Sequence, residues 1–186
     1  MRSRRSAILS RQLENDAAMG ILTSVARSIC LRHSATGKVT GFVPLGKIRK
    51  AVVIVDGSLP DAGKTVDAIH SFDGFAGRQI ETVVLGWRGE PIKNATVVGP
   101  SDVNFYGRVK RGRKYPRIHV GEELLVSLVS DPENFTATQI SLSSDALFKI
   151  GRFHMPKEIF NIVVLGDEGG QLRAFGLVCD ILKSVK

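Results

Sequence analysis

Apolar residues along this chain follow two rhythms. In the first thirty-odd residues, Leu9, Leu13, Ala17, Ile21, Val25 and Ile29 recur at every fourth position, with Ile8, Ala18 and Leu22 beside them. That spacing predicts one long helix over residues 6–33 with a single apolar stripe. Gly20 weakens the helix without ending it. Over residues 34–50 the rhythm is lost. Three glycines and a proline among scattered apolar residues predict an extended connector that adds at most an edge strand.

From residue 51 the pattern changes to short, continuous, β-branched runs. Ala51-Val52-Val53-Ile54-Val55 has no polar alternation, as expected of a strand buried on both faces. Further strands are predicted over 80–85, 95–98, 124–129, 147–150 and 160–165. Helices are predicted over 61–72, where Val66, Ile69 and Phe72 share a face, and over 132–140. A closing helix over 170–185 presents Leu172, Phe175, Val178, Cys179 and Leu182. Strands alternating with helices imply βαβ units, a mostly parallel sheet and right-handed crossovers. The predicted fold is a small three-layer α/β/α sandwich preceded by a basic N-terminal helix. Residues 1–50 form the helix and connector, and residues 51–186 the α/β domain. Runs 51–55, 80–85, 124–129 and 161–165 are expected to be neighbouring parallel strands.

Charge sharpens that division. The formal net charge is +8, and residues 1–50 carry all of it, with ten Lys and Arg against Glu14 and Asp16. The remainder of the chain is balanced. A field of one sign favours anionic partners, either nucleic acid or acidic lipid headgroups.

At 186 residues the chain is long enough to bury a core without covalent staples. Its two cysteines, Cys30 and Cys179, stand far apart in apolar helical patterns. They are expected to be reduced core residues of a cytoplasmic protein, not a disulfide or a metal site. No stretch is apolar enough to span a bilayer, and no apolar signal region follows the first arginines. Residues 1–13 are rich in Arg and Ser, like a mitochondrial presequence, but Glu14 and Asp16 interrupt them and the amphipathic pattern continues beyond.

Five segments together carry a resemblance: the basic amphipathic N-terminal helix; the strand of residues 50–56; the strand Glu-Leu-Leu-Val-Ser-Leu-Val-Ser-Asp of residues 123–131; Ala146-Leu147-Phe148-Lys149-Ile150-Gly151-Arg152; and the closing segment of residues 160–185. In this layout the chain resembles a family of uncharacterised bacterial α/β proteins, chiefly of the Bacteroidetes, defined as a domain of unknown function. The resemblance covers nearly the whole chain. It implies the fold and supplies no activity or catalytic residue.

Several constellations are candidates for chemistry. Gly57-Ser58-Leu59-Pro60-Asp61-Ala62-Gly63-Lys64-Thr65 follows a buried strand and opens a helix, where a phosphate-binding loop belongs. Five residues separate Gly57 from Gly63-Lys64-Thr65, one more than that loop has, and Pro60 removes an amide donor. A plain turn, with Asp61 capping the helix, is the simpler reading, and no specific ATP or GTP binding is expected. Asp167 and Glu168 after an apolar run look like a magnesium-binding strand end, but acids at the positive end of the last helix are the simpler reading.

Parallel sheets bind ligands at the carboxyl ends of their strands. That edge collects Asp56, Asp131 and Asp167, together with Gly86-Trp87-Arg88 and Ser130. These acids are a possible ligand edge, as a catalytic pair or as Mg²⁺ ligands. The second basic feature is residues 105–117, where six bases and three aromatics occur with no acid. Arg108, Lys110, Arg111, Arg113 and Lys114 suit phosphates, and Tyr106 and Tyr115 suit the faces of unpaired bases. Gly112 and Pro116 predict a loop there, and a solvated excursion is the plain alternative. His33, His70, His119 and His154 lack ligand spacing, so no metal site and no cofactor are expected.

Three functions follow. The first is non-catalytic binding of an anionic partner, namely nucleic acid or a ribonucleoprotein ahead of a membrane surface, through the basic arm and the basic-aromatic loop. The second is a small-molecule or nucleotide-dependent enzyme with its site at the strand ends. The third is a structural partner that docks through the N-terminal helix. They are separable: an enzyme shows a polar concave pocket at the strand ends, and a docking protein exposes its apolar stripe. Catalytic residues and oligomeric state are not specified by the sequence.

Overall fold

The computed structural model describes residues 19–32, 41–152, 159–164 and 170–185. Residues 6–18 of the expected N-terminal helix, as well as His33, His154, Asp167 and Glu168, lie outside the described residues. Within the described residues, 19–32 are helical and are called α1 here.

The core is a six-stranded sheet in the order β3-β2-β1-β4-β5-β6. Its strands are β1 (Lys50–Asp56), β2 (Gln79–Leu85), β3 (Ala95–Val98), β4 (Leu124–Ser127), β5 (Phe148–Gly151) and β6 (Ile162–Val163). Every pairing is parallel. The helices are α2 (Ala62–Ser71), α3 (Tyr115–Ile118), α4 (Phe135–Ser143) and α5 (Gly170–Ser184). This is the expected three-layer α/β/α architecture.

The sheet's two faces explain why β1 is an unbroken apolar run. Ala51, Val53 and Val55 pack under α2 and α5, with Val66, Ile69, Phe175 and Val178. Val52 and Ile54 pack on the opposite face with Ile118 of α3 and Ala137 and Ile140 of α4. Residues Ala51 to Val55 have no exposed surface, and each Val or Ile so buried contributes roughly 1.5–3 kcal/mol over leaving it in water.

The structure corrects five expectations. The run at 161–165 is not beside β4; β5 intervenes, and β6 is a two-residue, half-buried edge strand. The described part of the connector adds no strand. Its 3₁₀ turn Leu45–Lys47 is pinned by Arg78, whose guanidinium donates to Ile48 O (2.8 Å) and Leu45 O (3.0 Å). The segment 105–117 is not a free excursion. Val103 and Val109 form an antiparallel bridge, and Pro116 lies in the first turn of α3, where its missing N–H costs nothing. Helix α4 starts later than expected because Asn134 caps it, accepting from Ala137 N (3.1 Å).

The fifth correction concerns Asp61, whose carboxylate does not cap α2. It accepts from Leu172 N (3.0 Å) in the first turn of α5, 111 residues away. Gly170 has a positive φ of 66°, and a Cβ there would lie 2.6 Å from Asp61 Oδ2, so only glycine lets this cap approach.

Candidate functional site

The sheet order reverses between β1 and β4, so chain connections leave these neighbouring strands in opposite directions. In open parallel sheets the crevice outside such a switch point is where ligands bind. Here the strands also part company. Their register runs from Ala51↔Leu124 to Ile54↔Ser127 and stops. Beyond it, the side chain of Gln171 in α5 replaces the missing neighbour. Its amide accepts from Asp56 N (2.9 Å) and donates to Asp56 O (2.9 Å). Gln171 is fully buried, and this two-way bond fixes the end of β1.

A cavity of about 370 Å³ opens at that edge, within the ~300–1,000 Å³ range typical of small-molecule sites. Leu85, Val98 and Val103 form an apolar wall. Asp56, Ser58, Asp131, Asn134 and Thr136 supply polar groups, and among the described residues no Lys, Arg or His lines the cavity. Asp56 and Asp131 of the expected ligand edge are thus brought to one pocket.

Local geometry holds each acid. Asp56 is only 8% exposed. Its Oδ1 accepts from Ser58 N (2.9 Å) and Ser58 Oγ (2.6 Å) in an Asx turn. Among the described residues, all side-chain hydrogen bonds of Asp56 run through Oδ1, leaving Oδ2 for the cavity. Asp131 is exposed, and its Oδ1 accepts from Glu133 N (2.9 Å) ahead of α4. Gly57 is required here: its N–H donates to Leu85 O (2.7 Å), and a Cβ would lie 2.7 Å from both that oxygen and Trp87 N.

The phosphate-loop pattern lies in the same turn. The amides of Gly57, Ser58, Leu59 and Ala62 are all bonded within the protein. Lys64 is exposed, and Thr65 is buried with its hydroxyl on Asp61 O (2.8 Å). These donors do not converge on an open nest for an anion.

The basic-aromatic segment is built rather than loose, and its members divide. Asn104 N donates to Arg108 O (2.9 Å), Arg108 N to Asn104 Oδ1 (2.9 Å), and Gly107 turns the hairpin with φ 97°. Thr136 Oγ1 donates to Gly107 O (2.7 Å), tying the hairpin to α4. Lys114 pairs with Asp102 at 2.7 Å, and Lys110 Nζ donates to Ser101 O (3.0 Å). Burial works against the charge on Asp102, but hydrogen bonds from Lys114 and Gly99 N outweigh it and hold the carboxyl below its usual range. Tyr106 packs half-buried between Phe105 and Phe135, and Tyr115 stacks on His119 at 4.4 Å. Both rings offered for base stacking are therefore engaged. Arg108 is half-buried, and Arg111 and Arg113 are exposed with Lys110.

Among the described residues no group of three His, Cys, Asp or Glu side chains stands close enough to hold a metal ion. Cys30 and Cys179 are free thiols, and burial pushes Cys179 up to about 11. No helix of the described residues is long and apolar enough to cross a membrane.

Sequence reasoning placed Asp56 and Asp131 but missed Ser58, Asn134, Thr136 and Gln171. Ser58, two residues after Asp56, carries an Asx-turn signal that could have found it. Gln171 had no signal, because its role depends on where β4 leaves β1. No protein-family model matches this chain, and no curated protein or solved structure matches it either.

Proposed function

We propose that this protein binds a small, hydroxyl-bearing, uncharged ligand at the switch-point cavity, with Asp56 and Asp131 as the acceptors that orient it. The observation that carries this reading is the meeting of two acids, 75 residues apart in sequence, in one cavity at the carboxyl ends of the strands. Two carboxylates, with no base beside them among the described residues, repel phosphate and accept from neutral hydroxyls or from a cation. The apolar wall suits the flat face of a sugar ring or base. Two free thiols, Cys30 buried and Cys179 half-buried, fit a cytoplasmic setting for such a protein.

The test is a thermal-shift survey of neutral nucleosides and sugars, followed by calorimetric titration of any compound that raises Tm. Asp131→Asn keeps the shape and removes the charge, so its affinity for such a compound falls by about tenfold, as for loss of a charge-assisted hydrogen bond. A survey in which no compound raises Tm, or an Asp131→Asn protein that binds like wild type, overturns the reading. The basic hairpin keeps its exposed charges, and they belong to a different surface.

A further inference from the structure

Helix α1 rests on the body by its weaker side. Arg27 Nε donates to Tyr106 O (3.0 Å), and its guanidinium lies 5.1 Å from the centre of the Phe135 ring. Cys30 is buried, and Leu31 packs into the cluster that includes α4. The opposite side carries Ile21, Leu22, Val25 and Ile29, which are 52% to 66% exposed. At a turn of 3.6 residues these four fall on one face. Over residues 21–29, the part of the expected stripe within the described residues, the apolar face points away from the core. Contiguous exposed aliphatic side chains of this kind mark a contact surface.

Charge identifies what contacts it. Residues 19–32 contain Arg27 and Arg32 and no acid, and residues 103–113 contain Arg108, Lys110, Arg111 and Arg113 and no acid. The two segments meet where Arg27 grips Tyr106. Phe105, beside that grip, is 67% exposed, and Arg32 of α1 and Lys110, Arg111 and Arg113 of the hairpin segment are exposed. An aliphatic stripe next to a field of one positive sign has to be matched by a surface that is apolar within and anionic at its face. Nucleic acid matches the charge and offers nothing to Ile21, Leu22, Val25 and Ile29. A second copy matches the stripe and brings two strongly positive ends together. We propose that α1 and the 103–113 hairpin dock this protein on an anionic phospholipid surface, α1 lying in the interface with its stripe among the acyl chains and the bases among the headgroups. This proposal is independent of the cavity.

Vesicle flotation of the full chain tests it, with phosphatidylcholine alone and phosphatidylcholine mixed with phosphatidylglycerol. Wild type floats with the mixed vesicles and not with the neutral ones, and added salt weakens binding. The double variant Ile21→Ser/Val25→Ser changes only exposed residues, so its Tm and circular dichroism match wild type, while its affinity falls by about tenfold or more. Arg111→Ala and Arg113→Ala each weaken binding by about fivefold. Flotation with neither composition, equal flotation with both, or flotation of the double serine variant equal to wild type overturns the proposal. Two further results also overturn it when flotation is absent. One is a dimer that the serine variant abolishes, which assigns the stripe to a second copy. The other is binding of single-stranded RNA that the arginine variants abolish, which assigns the hairpin to nucleic acid.

Discussion

The two ends of the sheet each carry charged groups and use them in opposite ways. At the amino end, Lys149 of β5 is 1% exposed and Glu122 ahead of β4 is 4% exposed. Lys149 Nζ donates to Ser141 O (3.0 Å) and Ser144 O (2.6 Å), so it closes the carboxyl end of α4, where a positive charge is favoured. Glu122 accepts from Ser144 Oγ. Burial lowers the Lys149 ammonium below its usual range, and the charges of Glu122 and Asp145 partly restore it. At the carboxyl end, Asp56 and Asp131 each give one oxygen to the local turn. The first set is turned inward and completed by the protein; the second lines a cavity. A buried charge whose partners are all internal is architecture, and one that faces a cavity is a candidate for binding.

The comparison breaks most easily at Lys149. Lys149→Ala removes the stem and leaves two buried carbonyls without a donor, which should cost about 2–4 kcal/mol in urea unfolding. Lys149→Met keeps the stem and should recover part of that loss. A loss below about 0.5 kcal/mol for the alanine variant would remove the architectural role. At the other end, Asp131→Asn should change stability by less than about 0.5 kcal/mol, because Asn retains an oxygen for Glu133 N. A large loss there would make the carboxyl-end acids structural too, and the contrast would vanish.

The smallest effect is one of pH. His119 stacks on Tyr115, and burial lowers its pKa, against the opposing charges of Glu122 and Asp145 and with that of Arg108. A ring whose folded pKa lies below the unfolded value near 6.5 is protonated first in the unfolded chain. Stability is then full above pH ~6.5 and falls as the pH drops from there toward the folded value. In His119→Gln that part of the decline should disappear from unfolding curves measured across this window. An unchanged slope would mean that the ring titrates as it does in water.

Much of the fold was legible because parallel strands buried on both faces leave a simple trace, and 51–55 carries it throughout and 82–85 over the second half of β2. The trace fails where a charge is buried. The strand over 147–150 was placed, but nothing in Phe148-Lys149-Ile150 says that Lys149 is buried and tucked under α4. Asp61 was readable as a cap, but not as the cap of α5, since a residue's local pattern does not name a distant helix. The stripe of α1 was legible in full, but its direction was not, because periodicity gives a face and only packing decides what that face meets. The two acids of the cavity were found by their position after strands; their convergence needed the strand order.

The amide of Gln171 reaches across 115 residues to hold the end of β1. Seen in time rather than space, this delays the completion of the centre of the molecule. A nascent chain can lay β1 beside β2 early, but the backbone of Asp56 waits for its partner until another 115 residues have been made. The cavity wall therefore matures with α5, at the cost of a long-range closure that slows folding. A chain that stops short of α5 would hold most of its strands and still lack the finished rim of its pocket.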